Sequence, residues 1–154
     1  MSTTADRLAE LGITIPTPAT PVANYVGFVR SGDLVITSGQ IPVRDGKLVF
    51  AGKLGDVVSV QVGVEAAQLC FINVLAQLSV ACEGDLSRVQ QVVRLGGFIA
   101  CTPEFTQHAA VMNGASDLAV AVFGDAGRHA RSTIGVPSLP LDAAVEVEGI
   151  FRIA

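Results

Sequence analysis

Two short stretches near the C-terminal end carry residue types that could do chemistry: Arg131-Ser132-Thr133 and Glu146-Val147-Glu148. Side chains alternate faces along a strand. Arg131 and Thr133 would therefore share one face, and Glu146 and Glu148 one face of the next strand. Pro137, Ser138 and Pro140 between them read as a hairpin connection. A turn centred near Leu139-Pro140 sets Thr133 opposite Glu146 and Arg131 opposite Glu148. Such a patch could grip an anion through the guanidinium and orient water through a carboxylate. It could equally be a cross-strand ion pair on a solvated face. The residues alone leave both readings open.

A second candidate is Ser38-Gly39-Gln40-Ile41-Pro42. A glycine at a strand end lets a ligand approach the backbone closely, or marks an ordinary bulge. Gly52-Lys53-Leu54-Gly55 lacks phosphate-loop spacing and reads as a plain loop. Asn73 falls inside a helical stretch as a local hydrogen-bonder, and Asn113 can project from a second helix toward a sheet edge. His108 and His129 are isolated, so no metal-ligand cluster is expected. Cys70, Cys82 and Cys101 are widely spaced in apolar contexts and read as reduced core thiols of a cytoplasmic protein.

These residues need elements to hold them. Ser2 to Leu11 reads as a short helix capped by Thr3 or Thr4 and stopped at Gly12. Residues 13–21 carry three prolines and predict an extended arm. We set residues 1–23 apart as an N-terminal helix and arm, and residues 24–154 as a single domain. Strands are predicted over 24–30, 34–37 and 47–50, and a long amphipathic helix over 59–81. A central strand follows over 88–101, apolar on both faces and so covered on both sides. Thr102-Pro103 predicts the cap and first turn of a second helix, running to about Phe123. The order is β-β-β-α-β-α-β-β, an α+β pattern with a mixed sheet.

Composition adds limits. Half of the 154 residues are hydrophobic and 16% are charged, against a usual charged share of about 25%. Two helices cover one face of such a sheet, so the other face is expected to be covered by a second copy of the chain. No uninterrupted apolar run reaches the roughly 18 residues of a membrane span, and the N-terminus lacks a signal-peptide core. The net charge of −4 argues against nucleic acid as a partner, which needs clustered Lys and Arg.

Taken together, Tyr25-Val26, the run Leu34 to Val43 with Thr37-Ser38-Gly39-Gln40-Ile41-Pro42, then Asn73, Asn113, Arg131-Ser132, Leu139-Pro140 and Val145-Glu146-Val147-Glu148 resemble the RidA/YjgF family over about residues 24–153. That family comprises reactive-intermediate deaminases, often labelled endoribonuclease L-PSP, with a chorismate-mutase-like fold. The resemblance implies a homotrimer whose sheets form a central barrel, with sites in clefts between subunits. It implies hydrolysis of small 2-imino or enamine acids, of the 2-aminoacrylate type, to 2-oxo acids and ammonia without a cofactor or metal. It assigns Arg131 to the substrate carboxylate and Glu146 to the attacking water. It places Tyr25, Ser38, Gly39, Asn113 and Thr133 around the substrate. Thr133 stands where the deaminases usually carry cysteine, and the N-terminal arm and a longer second helix also depart from the pattern. A non-catalytic trimer that binds 2-oxo acids is the alternative reading, and an endoribonuclease or translation inhibitor is a third.

Overall fold

The computed structural model describes all residues, Met1–Ala154. Its main sheet holds β1 (Phe28–Ser31), β2 (Leu34–Thr37), β5 (Val89–Ala100), β6 (Ala130–Val136) and β7 (Val145–Ile153) in the order β1-β2-β7-β5-β6. β3 (Val43–Arg44) and β4 (Lys47–Leu48) form a separate small hairpin. The helices are α1 (Thr4–Glu10), α2 (Val60–Ala81) and α3 (His108–Phe123). β5 runs parallel to β6 and antiparallel to β7. The sheet is therefore mixed, as expected.

α2 and α3 pack on each other and on one face of the sheet. That face presents Val35, Leu95, Ile99, Val145, Val147 and Phe151, all fully buried. Each such side chain contributes about 1.5–3 kcal/mol on leaving water. The alternation along β7 is strict: Val145, Val147, Gly149, Phe151 and Ile153 are buried, and the residues between them are less so. The opposite face is open. Val29 and Ile134 are 54% and 52% exposed there, and Glu146 and Glu148 share that side of β7.

α2 starts where Ser59 accepts the Val62 N–H at 3.2 Å. Its 22 residues and mean hydropathy of 1.5 make it long and apolar enough to cross a membrane, although polar residues interrupt every apolar run. Twelve of its residues are buried between α3 and the sheet, Phe71, Val74, Leu75 and Leu78 completely. That is the environment of a core helix. Asn73 proves to be more than a local hydrogen-bonder. Its Nδ2 donates to the Ile41 and Val43 carbonyls, both at 3.0 Å, and so fixes the chain just after Gly39-Gln40.

Part of the first 23 residues contacts the body of the domain, with Leu8 and Ile15 packed on the core. Thr3 and Asp6 form a reciprocal capping box on α1, and α1 packs on α3 and the Leu86–Arg88 turn. The arm then crosses to Ala19, whose carbonyl accepts from the buried Gln77 at 3.2 Å.

Two expectations are corrected. α3 begins at His108, not at Thr102-Pro103. The Thr102 N–H pairs with the Leu54 carbonyl at 3.0 Å, and the Phe105 N–H closes a single turn on the Thr102 carbonyl at 3.2 Å that does not continue into α3. The second correction concerns Arg131 and Glu146. Their strands do not form a hairpin, because β5 lies between β6 and β7. The long apolar β5 can pair on both edges, and α3 supplies the crossover that a parallel β5–β6 pair requires. Residues 137–144 then carry the chain past the end of β5.

Candidate functional site

The register separates the expected site residues into two groups. Thr133 lies beside Gly97 and Gly97 beside Val147; Ile134 lies beside Phe98 and Phe98 beside Glu146. Arg131 and Thr133 thus belong to the helix side of the edge strand β6. Glu146 and Glu148 belong to the open side of β7. No ion pair joins Arg131 to Glu148, so the cross-strand patch expected from a hairpin does not form.

In the first group Arg131 is half-buried and reaches toward α3. Its Nη1 donates to Asn113 Oδ1 at 2.8 Å and to Ser116 Oγ at 3.0 Å. Behind Ser116 stands His129, with Nε2 at 2.9 Å from Ser116 Oγ and Nδ1 at 2.7 Å from the Gly127 carbonyl. A carbonyl only accepts, so Nδ1 carries the proton of the neutral ring. Nε2 then accepts from the Ser116 hydroxyl, whose lone pair is left to face the guanidinium. This chain of bonds pins one nitrogen of Arg131 and leaves the Nε–Nη2 edge unbonded within the protein. The guanidinium has no carboxylate partner, and it borders a surface cavity of about 320 Å³ also lined by Asp117 and Arg128. A fork of two parallel N–H donors is the geometry that recognises a carboxylate. Two residues along the same face, Thr133 Oγ1 is a buried side-chain oxygen with no hydrogen-bond partner.

Sequence reasoning missed Ser116 and His129. A signal was present: Asn113 and Ser116 are three apart on one helix face, and His129 stands two residues before Arg131, just ahead of β6. Removing the Ser116 hydroxyl should loosen the guanidinium. Ser116→Ala is expected to weaken binding of a simple carboxylate such as pyruvate about tenfold, the cost of a hydrogen bond to a charged group. Calorimetric titration measures it, and unchanged affinity would show that Asn113 suffices.

The second group gathers at β2 and β7. The β2–β7 pairing runs to Ile36–Ile150 and resumes at Gln40–Val147. Three residues, 37–39, therefore face two, 148–149. This is a bulge, held by Thr37 Oγ1, which accepts the Gly149 N–H at 3.0 Å. It lays Gly39 over Glu146: a side chain at Gly39 would come within 2.7 Å of Glu146 Oε1. The bulge reading of Gly39 is thereby met, and the group that lies close to it is the Glu146 side chain. Ser38 Oγ donates to the Val26 carbonyl, which ties down the segment after the exposed Tyr25. Burial, and secondarily the charge of Glu148, pushes the Glu146 carboxyl above the ordinary glutamate value. A carboxylate so perturbed binds a proton more readily, as a base acting on water must.

Arg131 and Asn113 are thus joined, with Thr133 two residues along the same face; Gly39 lies against Glu146 with Ser38 next to it, while the exposed Tyr25 is tied in only through the Val26 carbonyl that Ser38 holds. Within one chain the groups lie on opposite faces, with β5 between their strands.

Comparison with known proteins agrees with this architecture. The family model described as "YjgF/chorismate_mutase-like, putative endoribonuclease" matches residues 5–151, and the chain belongs to that family. The match takes in most of α1 as well as residues 24–151. Protein TCP17 of Trypanosoma cruzi is 44% identical over 150 residues, covering 97% of this chain and 93% of the relative. A 2-iminobutanoate/2-iminopropanoate deaminase of Dermatophagoides farinae is 31% identical over 143 residues, covering 92% and 94%. Among solved structures, Atu1372 of Agrobacterium tumefaciens, a protein of unknown function, superposes with a TM-score of 0.93 at 45% identity, over 98% of this chain and 92% of that one.

Proposed function

We propose that this protein is a hydrolytic deaminase of small 2-imino and enamine acids, acting in a cleft between two copies of the chain. The observation that carries this reading is Arg131, a half-buried cation with no acid partner, held by Asn113 and Ser116 so that its free edge can take a carboxylate. The name of the Dermatophagoides farinae relative supports the reaction class.

The substrate carboxylate sits on the Nε–Nη2 edge of Arg131, with the Thr133 backbone N–H beside it. This fixes the neighbouring imine carbon. Glu146 of a second copy orients a water and takes its proton as the C–O bond forms, giving a carbinolamine. That proton passes to nitrogen to complete the carbinolamine; Glu146 then takes the hydroxyl proton and delivers it to nitrogen as the C=O bond forms and the C–N bond breaks, releasing ammonia and the 2-oxo acid. Every proton comes from water and is moved by a carboxylate, so the step calls for neither metal nor organic cofactor. Tyr25, Ser38 and Gly39 form the wall beside Glu146.

The opposite placement of the two groups supports sharing between copies. So does the open sheet face, where Val29 and Ile134 remain exposed around Glu146 and Glu148. A homotrimer with its sheets turned inward would cover that face and join the groups. Equilibrium sedimentation at low micromolar concentration should show a trimer; a clean monomer would remove the shared site.

The direct test couples an amino-acid oxidase or dehydratase, which releases imines, to 2-oxo acid detection. Purified protein should accelerate 2-oxo acid release. Thr133 at the position of the family cysteine favours a second reading, a non-catalytic 2-oxo acid binder. Pyruvate binding without acceleration for any small or branched 2-imino acid would establish it. An endoribonuclease reading draws support from names alone, that of the family among them, because the cavity beside Arg131 holds only one further arginine, Arg128, on a chain of net charge −4.

A further inference from the structure

We propose a second reactive centre, next to Thr133 along the same face of β6: Cys101 and His108 form a thiol–imidazole pair that reacts with small soft electrophiles, of which hydrogen peroxide is the simplest. Cys101 directly follows β5, and its N–H donates to the Val136 carbonyl at 3.1 Å. His108 opens α3. Cys101 Sγ lies 3.5 Å from His108 Nε2, within reach for the ring to take the thiol proton. The Phe105 ring meets the imidazole edge-on, with centroids 5.3 Å apart, and limits its rotation.

Gly135 supplies an independent observation. A Cβ there would lie 2.5 Å from His108 Nε2 and 2.7 Å from Cys101 Sγ. Its φ is not in the left-handed region, so the backbone does not require glycine. The space over the pair does. Gly135 thus packs directly on the pair, where any larger residue would displace it, and Cys101 and His108 are each partly exposed, so a small reagent can reach the sulfur. The other thiols lack every part of this arrangement. Cys70 and Cys82 are fully buried, and burial raises the pKa of both. Their position in the core also denies Cys101 a resolving thiol within the chain.

With peroxide the atoms balance simply. The thiol proton passes to His108 Nε2, and the sulfur attacks one peroxide oxygen. The O–O bond breaks, the sulfur is oxidised to sulfenic acid, and the departing hydroxide takes the proton from the imidazolium to leave as water. An external thiol can then reverse the change.

Exposure and activation by histidine predict opposite results, which makes a test. Iodoacetamide is applied at neutral pH and each cysteine is followed by peptide mass mapping. Cys101 should be alkylated first. His108→Ala opens access to the sulfur but removes the base, and alkylation of Cys101 should slow about tenfold, the low end for losing a general base. His108→Asn, which keeps bulk, should slow it equally and guards against a folding defect in the alanine variant. Dimedone should trap sulfenic acid on Cys101 after peroxide. Unchanged or faster alkylation in folded His108 variants, or dimedone capture at no cysteine or only at Cys70 or Cys82, would overturn the proposal.

Discussion

Glu146→Gln should lower imine turnover by about 10²–10⁴-fold, the usual cost of losing a general base, while pyruvate affinity changes little. Glutamine nearly keeps the volume and an acceptor oxygen over Gly39 but cannot take a proton from water. A loss confined to turnover marks an interaction used in the transition state. The substitution should also separate activity from stability. Burial, and then Glu148, raises the folded-state pKa of Glu146 above 4.5; unfolding restores the ordinary value. Between those two values the folded chain binds more protons than the unfolded one, so stability falls as pH rises through that window. Glutamine removes this cost. The variant should therefore melt above wild type at pH 7 and lose that advantage below about pH 4.5. Turnover in wild type should fall on the acid side of the raised value, where the carboxylate is protonated. A glutamine variant as active as wild type would take Glu146 out of the mechanism, and Glu148 would be tested next.

Arg131→Ala should abolish useful carboxylate binding, with a loss of about 100-fold or more for two charge-assisted hydrogen bonds. The melting temperature should barely move. A structural ion pair would leave a stranded carboxylate when broken, but Arg131 has none, and the partly exposed Asn113 and Ser116 can turn to water. A large thermal loss with unchanged affinity would instead make Arg131 a structural residue. The two variants together test the shared cleft. In a site built from Arg131 of one copy and Glu146 of the next, mixed trimers of the two inactive proteins recover intact clefts, about a quarter of all sites on random exchange. A site contained in one chain recovers none.

Local chemistry made much of this chain legible. Thr3 with Asp6, Ser59 before α2, the apolar run of β5 and the alternation along β7 each act over a few residues, and each of these elements formed close to where its pattern placed it. The Thr37 to Pro42 string and the Arg131 to Glu148 block were enough to indicate the family, and the family model bears that out. What spacing could not settle was pairing. A proline-rich break between two strands suits a hairpin or a crossover equally well, and the choice rests on which strand edge β5 offers, a contact between residues far apart in sequence. Long-range pairing also ties Thr102 to Leu54, ahead of an α3 that begins only at His108. It also decided the geometry of the site. Alternation says which residues of one strand share a face, but only the order β2-β7-β5-β6 decides that Arg131 and Glu146 look to opposite sides. Ser116 and His129 came to light for the same reason: Ser116 meets Arg131, with His129 behind it, only when α3 lies over β6, and a hydrogen bond has no periodicity to read until its two partners are placed in space.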